Sequence, residues 1–130
     1  LSDFVEAFGQ MLGRAAAELD LTSARAELVF LLTQHGPQRQ RRVAELLGTS
    51  PQQAAVMVDA LVERGLLSRS PDPTDRRAVL VGVTDRGQRT GARIEAMRAR
   101  SAERLLGDLG DDRVTELSEL VQHLLDRVRP

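Results

Sequence analysis

The chain has 130 residues, of which 42% are hydrophobic and 28% charged, and it contains no cysteine. This composition is typical of one globular domain, and it excludes disorder over the whole length, a disulfide scaffold, a thiol nucleophile and a cysteine zinc site. No apolar run exceeds five residues, which is too short for a membrane span. Because the first residues also lack the basic segment of a secretory signal, we expect a cytoplasmic protein.

The charge is unevenly distributed along the chain. The formal net charge of −1, taken as a sum, argues against a nucleic-acid binder. Residues 37–93, however, hold ten arginines and six acidic residues, a net charge of +4, while the remainder holds eight arginines and thirteen acidic residues, a net charge of −5. The basic middle is therefore either chance surface charge or an anion-binding module carried by acidic helices.

Two helices are predicted at the start of the chain. Residues 3–20 place apolar side chains at spacings of three and four, which indicates a helix with one buried face. Thr22 is a suitable N-cap for a second helix that ends near His35, before Gly36 and Pro37. This second helix holds the apolar run Leu28–Leu32 and is therefore expected to be central.

Two shorter helices follow, separated by a tight turn. The first is predicted over residues 40–47 and ends at Gly48. The sequence Ser50-Pro51-Gln52-Gln53 then has the form of a capping box with proline at the first helical position. The helix that it begins is expected to reach Arg64, and its predicted inner face consists of Ala55, Val58, Leu61 and Val62. This spacing is typical of a helix-turn-helix, although short helix pairs with glycine turns are also common.

A β-hairpin is predicted next. Leu66–Arg69 is expected to form a strand, Ser70–Asp75 a turn, and Ala78–Val83 a second strand with Val79, Val81 and Val83 on one face. Arg76 and Arg77 belong to the loop of this hairpin. A hairpin directly after a helix-turn-helix is a winged helix, so the predicted fold is mainly α with one small β-hairpin.

The C-terminal third is predicted to form two long helices. Thr84 is expected to cap a helix over residues 85–106, and a last helix is expected over residues 111–127. The apolar positions of the last helix have alternating spacings of three and four, as in a coiled-coil seam. They are Val114, Leu117, Val121, Leu124 and Val128, with Leu120 and Leu125 widening the stripe. The stripe packs either within its own chain or against a second subunit, and the scarce aromatics and acidic ends favour a dimer.

Four segments resemble the MarR family of bacterial transcription regulators. They are Val43–Gly48, Val58–Leu67, Asp72–Arg77 with its Asp-Pro-Thr-Asp-Arg-Arg sequence, and Val83–Gly87. The resemblance implies a single domain over residues 1–130, with dimerisation helices at 1–21 and 85–130 and a winged helix-turn-helix lobe at 22–84. It also implies a homodimeric repressor of nearby genes, often relieved by a small aromatic or anionic ligand.

The predicted partner is double-stranded DNA, read at a pseudo-palindromic operator. The first turn of the helix after Ser50 is expected to enter the major groove, where Gln52 is the better base reader and Val56 contacts a thymine methyl group. The wing arginines are expected in the minor groove. By resemblance, Asp59 braces Arg77. Asp75 is expected to orient either wing arginine. The full set of predicted DNA-binding residues is Ser50, Gln52, Gln53, Val56, Arg69, Arg76 and Arg77. Arg39, Arg41 and Arg42 are either further phosphate contacts or a solvated face.

The terminal helices and their neighbours carry the remaining predictions. The predicted dimer interface consists of Phe4, Phe8, Leu117, Leu120, Val121, Leu124 and Leu125, and the predicted ligand pocket of Phe8, Met11, Phe30 and His35. The two histidines, His35 and His123, are interpreted as structural or solvated, and we expect no metal site, no cofactor and no catalytic set. A winged-helix protein-interaction module without DNA binding is the alternative, with an enzyme a distant third.

Overall fold

The computed structural model of the chain describes residues 1–129, which form six helices and a three-stranded antiparallel sheet. The elements are α1 Ser2–Ala17, α2 Ser23–His35, β1 Gln38–Arg39, α3 Gln40–Leu47, α4 Pro51–Glu63, β2 Leu67–Asp72, β3 Asp75–Val83, α5 Asp85–Leu106 and α6 Asp111–Val128. None of the helices within the described residues combines the length and the apolarity that a membrane crossing requires. The mainly α fold with a small sheet confirms the predicted fold class.

Side-chain caps fix the starts of three helices. The hydroxyl oxygen of Thr22 accepts a hydrogen bond from the backbone N–H of Arg25 at 3.2 Å, and that of Ser50 accepts one from Gln53 at 3.1 Å. Thr84 accepts one from the backbone N–H of Gly87 at 3.0 Å. All three caps were predicted, because a cap depends on residues only two or three positions away.

The hairpin is longer and its turn tighter than predicted. β2 and β3 are joined by Pro73 and Thr74, so the predicted six-residue turn over Ser70–Asp75 is wrong. Pro71 pairs with Val79 in the ladder before a local irregularity at Asp72. β2 lies at the edge of the sheet and pairs only with β3. A proline is tolerated in such an edge strand, because no second neighbouring strand needs its missing N–H.

The sheet also contains a strand that the sequence did not predict. β1 pairs with Leu80 and Val81 on the other side of β3. With only two residues, it is too short to show the alternation by which a strand is recognised in a sequence.

The chain divides into two compact units, residues 1–96 and 97–130, with the division inside α5. In the first unit the core is centred on α2, whose Leu28, Val29 and Leu32 are almost fully buried. In α4 the buried positions are Ala54, Val58 and Leu61, so the predicted place of Ala55 on the inner face is wrong by one residue. Ala54, Val58 and Leu61 follow a spacing of four and three, which keeps them on one side of the helix.

Two glycines let α5 approach its neighbours closely. An added Cβ at Gly91 would lie 2.2 Å from the Thr33 hydroxyl oxygen of α2. At Gly87 it would lie 2.0 Å from the carbonyl oxygen of Leu66, just before β2. The start of α5 is therefore packed against α2 and against the base of the hairpin, where no side chain would fit.

Candidate nucleic-acid interface

The first turn of α4 presents polar side chains to solvent. Ser50, Gln52 and Gln53 are exposed, and Val56 retains 64% of its accessible surface. The side-chain oxygen of Gln53 accepts a hydrogen bond from the Thr49 hydroxyl instead of returning to the backbone of Ser50, so only half of the predicted capping box forms. The amide of Gln52 makes no hydrogen bond within the described residues and is free to bind a partner.

The wing arginines are exposed at the start of β3, directly after the turn. Neither the Arg76 nor the Arg77 guanidinium forms a hydrogen bond or an ion pair within residues 1–129. Asp75 accepts a hydrogen bond at 3.0 Å from the backbone N–H of Arg77, not from an arginine side chain. Asp75 thus fixes the backbone that carries Arg77 and leaves the guanidinium unpaired, unlike the predicted orienting role.

Asp59 does contact the wing, but through a different arginine from the one expected. Its carboxylate pairs with the guanidinium of Arg69 on β2, so the expected bracing of Arg77 is wrong. The Arg69 Nε also donates to the side-chain oxygen of Gln40 at 3.0 Å. Arg69 lies much deeper along the hairpin than Arg77, where it reaches both α3 and α4. Its predicted role in DNA contact is therefore combined with a structural one, because it connects three elements.

A cleft of about 700 Å³ lies between α4 and the wing. Its charged lining residues are Arg39, Arg41, Arg69, Arg77, Asp59 and Asp75. Of the four arginines, Arg69 pairs with Asp59 and Arg39 pairs with Asp72, which leaves Arg41 and Arg77 without an ion pair in the described chain. The cleft is thus a basic surface that adjoins the exposed first turn of α4.

The pair of Arg39 and Asp72 was missed at the level of sequence. Asp72 is 7% exposed and accepts hydrogen bonds from the Thr74 backbone N–H and the Thr74 hydroxyl, both at 2.8 Å, and from the Arg39 Nε at 2.9 Å. The bonds from Thr74, together with the Arg39 guanidinium, hold the pKa of Asp72 below its ordinary value of 3.8. The local Asp-Pro-Thr sequence signals the turn contacts, but nothing in it signals a partner 33 positions away.

Of the nearby arginines, Arg42 pairs with Glu45 at 2.7 Å, one helical turn along α3. Arg39 holds the wing turn. Only Arg41 of this group lacks a hydrogen bond or ion pair within residues 1–129. Arg41 is therefore the member that fits the predicted phosphate contact, whereas Arg39 and Arg42 are paired within the chain.

The predicted interface residues of α1 and α6 are solvent-exposed in the single chain. Phe4 and Phe8 stack with ring centroids 5.6 Å apart and retain 58% and 36% of their accessible surface. In α6 the exposed apolar side chains are Leu117, Leu120, Val121, Leu124 and Val128, and Leu125 is half-buried. No residue of α6 is buried.

Two of the predicted ligand-pocket residues differ in their exposure. Phe30 packs against the core, whereas His35 is exposed at the end of α2. Within the described residues, no group of histidine and acidic side chains is arranged to hold a metal ion.

Comparison with known proteins places this arrangement in a family. The sequence model of the MarR family matches residues 21–79. The HTH-type transcriptional regulator YkoM of Bacillus subtilis is 30% identical over 104 residues, which cover 75% of this chain and 68% of YkoM. The chain belongs to the MarR family. Its resemblance to that family, first seen in the sequence, is thereby confirmed.

Another curated relative extends the comparison. The HTH-type transcriptional repressor NicR of Pseudomonas putida is 40% identical over 75 residues, covering 55% of this chain and 46% of NicR. The chain spans only about half the length of several of the curated relatives that it matches.

Solved MarR-family structures share the fold. A mutant of MarR from E. coli in complex with operator DNA has a TM-score of 0.80 at 22% identity, covering 95% of this chain and 89% of that one. PcaV of Streptomyces coelicolor, solved with its natural ligand, has a TM-score of 0.76 at 26% identity, covering 97% and 92%. The winged helix observed here is therefore the MarR-family one.

Proposed function

We propose that this MarR-family regulator binds double-stranded DNA through α4 and the wing, as a homodimeric repressor that a small ligand releases. The observation that carries the proposal is the juxtaposition of an exposed polar helix start with unpaired arginines in one compact unit. Gln52 makes no hydrogen bond within the described chain, and Arg41, Arg76 and Arg77 have no ion-pair partner there. Exposed, unpaired donors of this kind are what a polyanion with readable base edges requires.

The contacts divide into base readers and phosphate binders. In the major groove, the Gln52 amide bonds the N6 and N7 atoms of adenine, and Val56 packs on a thymine methyl group. The Ser50 hydroxyl uses its oxygen to cap Gln53, so its own hydrogen remains available for a phosphate oxygen. Gln53 is engaged by Thr49 and plays the lesser role in this proposal.

The wing contributes charge at a second groove. Arg76 and Arg77 follow a two-residue turn that Asp72 holds through Thr74, and the Asp75 carboxylate accepts a hydrogen bond from the backbone N–H of Arg77. Their guanidinium groups insert into a narrow minor groove, where the negative potential is greatest. Arg69, held by Asp59 and Gln40, sets the position of the hairpin relative to α4.

The exposed apolar stripes of α1 and α6 support a homodimer. Leu120 and Leu124 are 57% and 53% exposed, and Phe4 is 58% exposed. Apolar side chains at regular helical spacing that find no cover in their own chain are typical of subunit interfaces. A two-fold dimer places two copies of α4 on two half-sites, which accounts for a pseudo-palindromic operator.

Repression and ligand response are supported by the named relatives alone. NicR is a transcriptional repressor, and PcaV has a natural ligand. The predicted pocket residues Phe8, Met11, Phe30 and His35 remain a prediction for this response. Since chromosomal DNA is the proposed partner, the cytoplasm is the proposed location.

Selection from a randomised duplex library, followed by fluorescence anisotropy with the enriched duplex, tests this proposal. We expect a palindrome-like consensus and an affinity that falls steeply with salt, with a logarithmic slope of about −0.9 per phosphate contacted. Failure to enrich any sequence, together with salt-independent weak binding, would favour a winged-helix module that binds protein instead of DNA.

A further inference from the structure

A second basic cavity lies outside the proposed DNA-binding surface, and we call it the α5 arginine cavity. It has a volume of about 370 Å³, within the range of small-molecule sites. Its charged lining residues are Arg64 at the end of α4 and Arg86, Arg89 and Arg93 along α5. No acidic residue lines it, and its apolar surface comes from Leu19 and from Leu66, which is 3% exposed.

The positive charge of this cavity is only partly compensated by the protein. Arg64 donates a hydrogen bond to the backbone oxygen of Asp20 and lies 3.8 Å from the Asp20 carboxylate. Arg86 donates to the backbone oxygen of Arg64 at 3.1 Å, which satisfies a carbonyl at the end of α4 but neutralises no charge. Arg89 and Arg93 form neither a hydrogen bond nor an ion pair within the described residues. The one carboxylate paired with these four arginines in the described chain is therefore that of Asp20, which is fully exposed and lies close to Arg64 alone.

Arg86, Arg89 and Arg93 are exposed to solvent, and with Arg64 they form a positive surface that attracts anions. Like charges around one cavity repel, and guanidinium groups bind carboxylate and phosphate oxygens in a planar, two-pronged geometry that an ammonium group does not provide. Arg89 and Arg93 are four positions apart and therefore lie on the same side of α5. The leucine surface gives a bound molecule an apolar contact beside its charged groups.

The position of the cavity separates it from the proposed DNA contacts. The first turn of α4 and the end of α4 at Arg64 are 13 residues apart, about 20 Å along the helix. Leu66 is likewise at the base of the hairpin, whereas Pro73 and Thr74 are at its tip, about 20 Å away along β2. A DNA phosphate bound at the wing tip or at the first turn of α4 is therefore not the occupant of this cavity.

We propose that the α5 arginine cavity binds a small organic anion that carries phosphate or carboxylate groups. The anion connects Arg64 of α4 to the arginines at the start of α5 across the base of the hairpin. Binding itself is independent of DNA. A regulatory effect, in which the anion changes DNA affinity through α4, rests on the proposed function and is by linkage reciprocal.

Isothermal titration calorimetry at fixed ionic strength tests the site, with inorganic pyrophosphate as the phosphate probe and citrate as the carboxylate probe. We expect saturable binding of at least one probe and a loss of about tenfold or more in affinity for the Arg89→Ala/Arg93→Ala variant. The matched control is Arg100→Ala/Arg104→Ala, which removes two exposed arginines with the same spacing from the same helix. Absence of saturable binding by the unmodified chain, or equal weakening in both variants, overturns the proposal.

A DNA-binding assay on the same variants separates this inference from the proposed function. The Arg89→Ala/Arg93→Ala variant should bind the enriched duplex with unchanged affinity in the absence of probe, while Arg76→Ala/Arg77→Ala should lose DNA affinity but bind the probe normally. If DNA binding is intact and the titration shows no site, only this inference fails. If the probe binds with the expected variant pattern and no DNA sequence is enriched, only the proposed function fails.

Discussion

The arginines of the hairpin differ in whether they have a partner in the described chain. This difference predicts whether a substitution changes DNA affinity alone or stability as well. Arg76 and Arg77 are exposed and have no partner in the described chain, so Arg76→Ala/Arg77→Ala should change the free energy of unfolding by no more than about 0.5 kcal/mol. On DNA, each guanidinium group contributes about 1 kcal/mol or more as a charged contact, and two of them correspond to a loss in affinity of at least about tenfold. The logarithmic salt slope should become shallower by up to about 2.

Arg69 should behave differently because it is already bound within the chain. Arg69→Ala removes the ion pair with Asp59 and the 3.0 Å hydrogen bond to Gln40. The ion pair is largely solvent-exposed, so the expected destabilisation is about 1 kcal/mol. Any loss of DNA affinity in this variant would then accompany a loss of stability, unlike that of the double variant.

Urea denaturation followed by circular dichroism, with fluorescence anisotropy on the enriched duplex, distinguishes the two variants. Arg100→Ala/Arg104→Ala serves as the control for the loss of two positive charges far along α5. The reasoning is refuted if the wing double variant binds DNA as tightly as the unmodified chain, or if the control loses as much affinity as the wing variant does.

Three further changes have defined outcomes. Gly91→Ala should destabilise the chain by about 1–3 kcal/mol in urea denaturation, because its Cβ would lie 2.2 Å from the Thr33 hydroxyl oxygen. A second change, Thr33→Ala, should recover part of that loss, since the Cβ of residue 33 remains 3.0 Å away. Leu120→Glu/Leu124→Glu should convert the proposed dimer to a folded monomer in sedimentation equilibrium, since both side chains are exposed in the single chain. Asp72→Asn should flatten the acid dependence of stability: the folded pKa lies below the ordinary value of 3.8, so the carboxylate stabilises the fold above that pH and ceases to do so as the pH falls below it.

Each of these changes has a control or a contradicting result. The control for Gly91→Ala is Gly13→Ala, whose Cβ would lie 3.7 Å from the nearest side-chain atom. This is an ordinary van der Waals contact, so the change should be neutral or stabilising. Thr115→Glu/Ser118→Glu adds the same charge to exposed polar positions of α6 and should leave the dimer intact. For Asp72, an identical decline in stability for both chains between pH 4 and acid unfolding would show that the bonds from Thr74 and Arg39 contribute nothing.

The sequence predicts the local features of this fold well, because their causes are local. The caps at Thr22 and Ser50 and the helix end at Gly48 each depend on a few neighbouring residues. The hairpin turn was predicted too long, since turn-forming residues such as Ser70 and Pro71 are tolerated in an edge strand. Whether a strand lies at an edge is decided by the whole sheet and not by its own composition.

The candidate site was also predicted only in part, because local exposure can be read from the sequence and contacts between distant elements cannot. Exposure of Gln52, Val56 and the wing arginines follows from helix period and turn position. The pairing of Asp59 with Arg69 and of Asp72 with Arg39 depends on which segments the fold brings together. Positions 33 apart in sequence carry no local mark of their contact, so charge pairing across elements could not be read in advance.

Thr84 connects the end of α4 to the start of α5 through side-chain hydrogen bonds. Thr84 donates to the carbonyl oxygens of Gly65 and Leu66, at 2.6 and 3.2 Å, while it caps the start of α5. These hydrogen bonds therefore hold the residues at the end of α4 against the start of α5, although the hairpin separates them in sequence. The first turn of α4 lies about 20 Å from this end of the helix, so a rotation of α4 by about 10° about this end would displace that turn by about 3 Å, the length of a hydrogen bond.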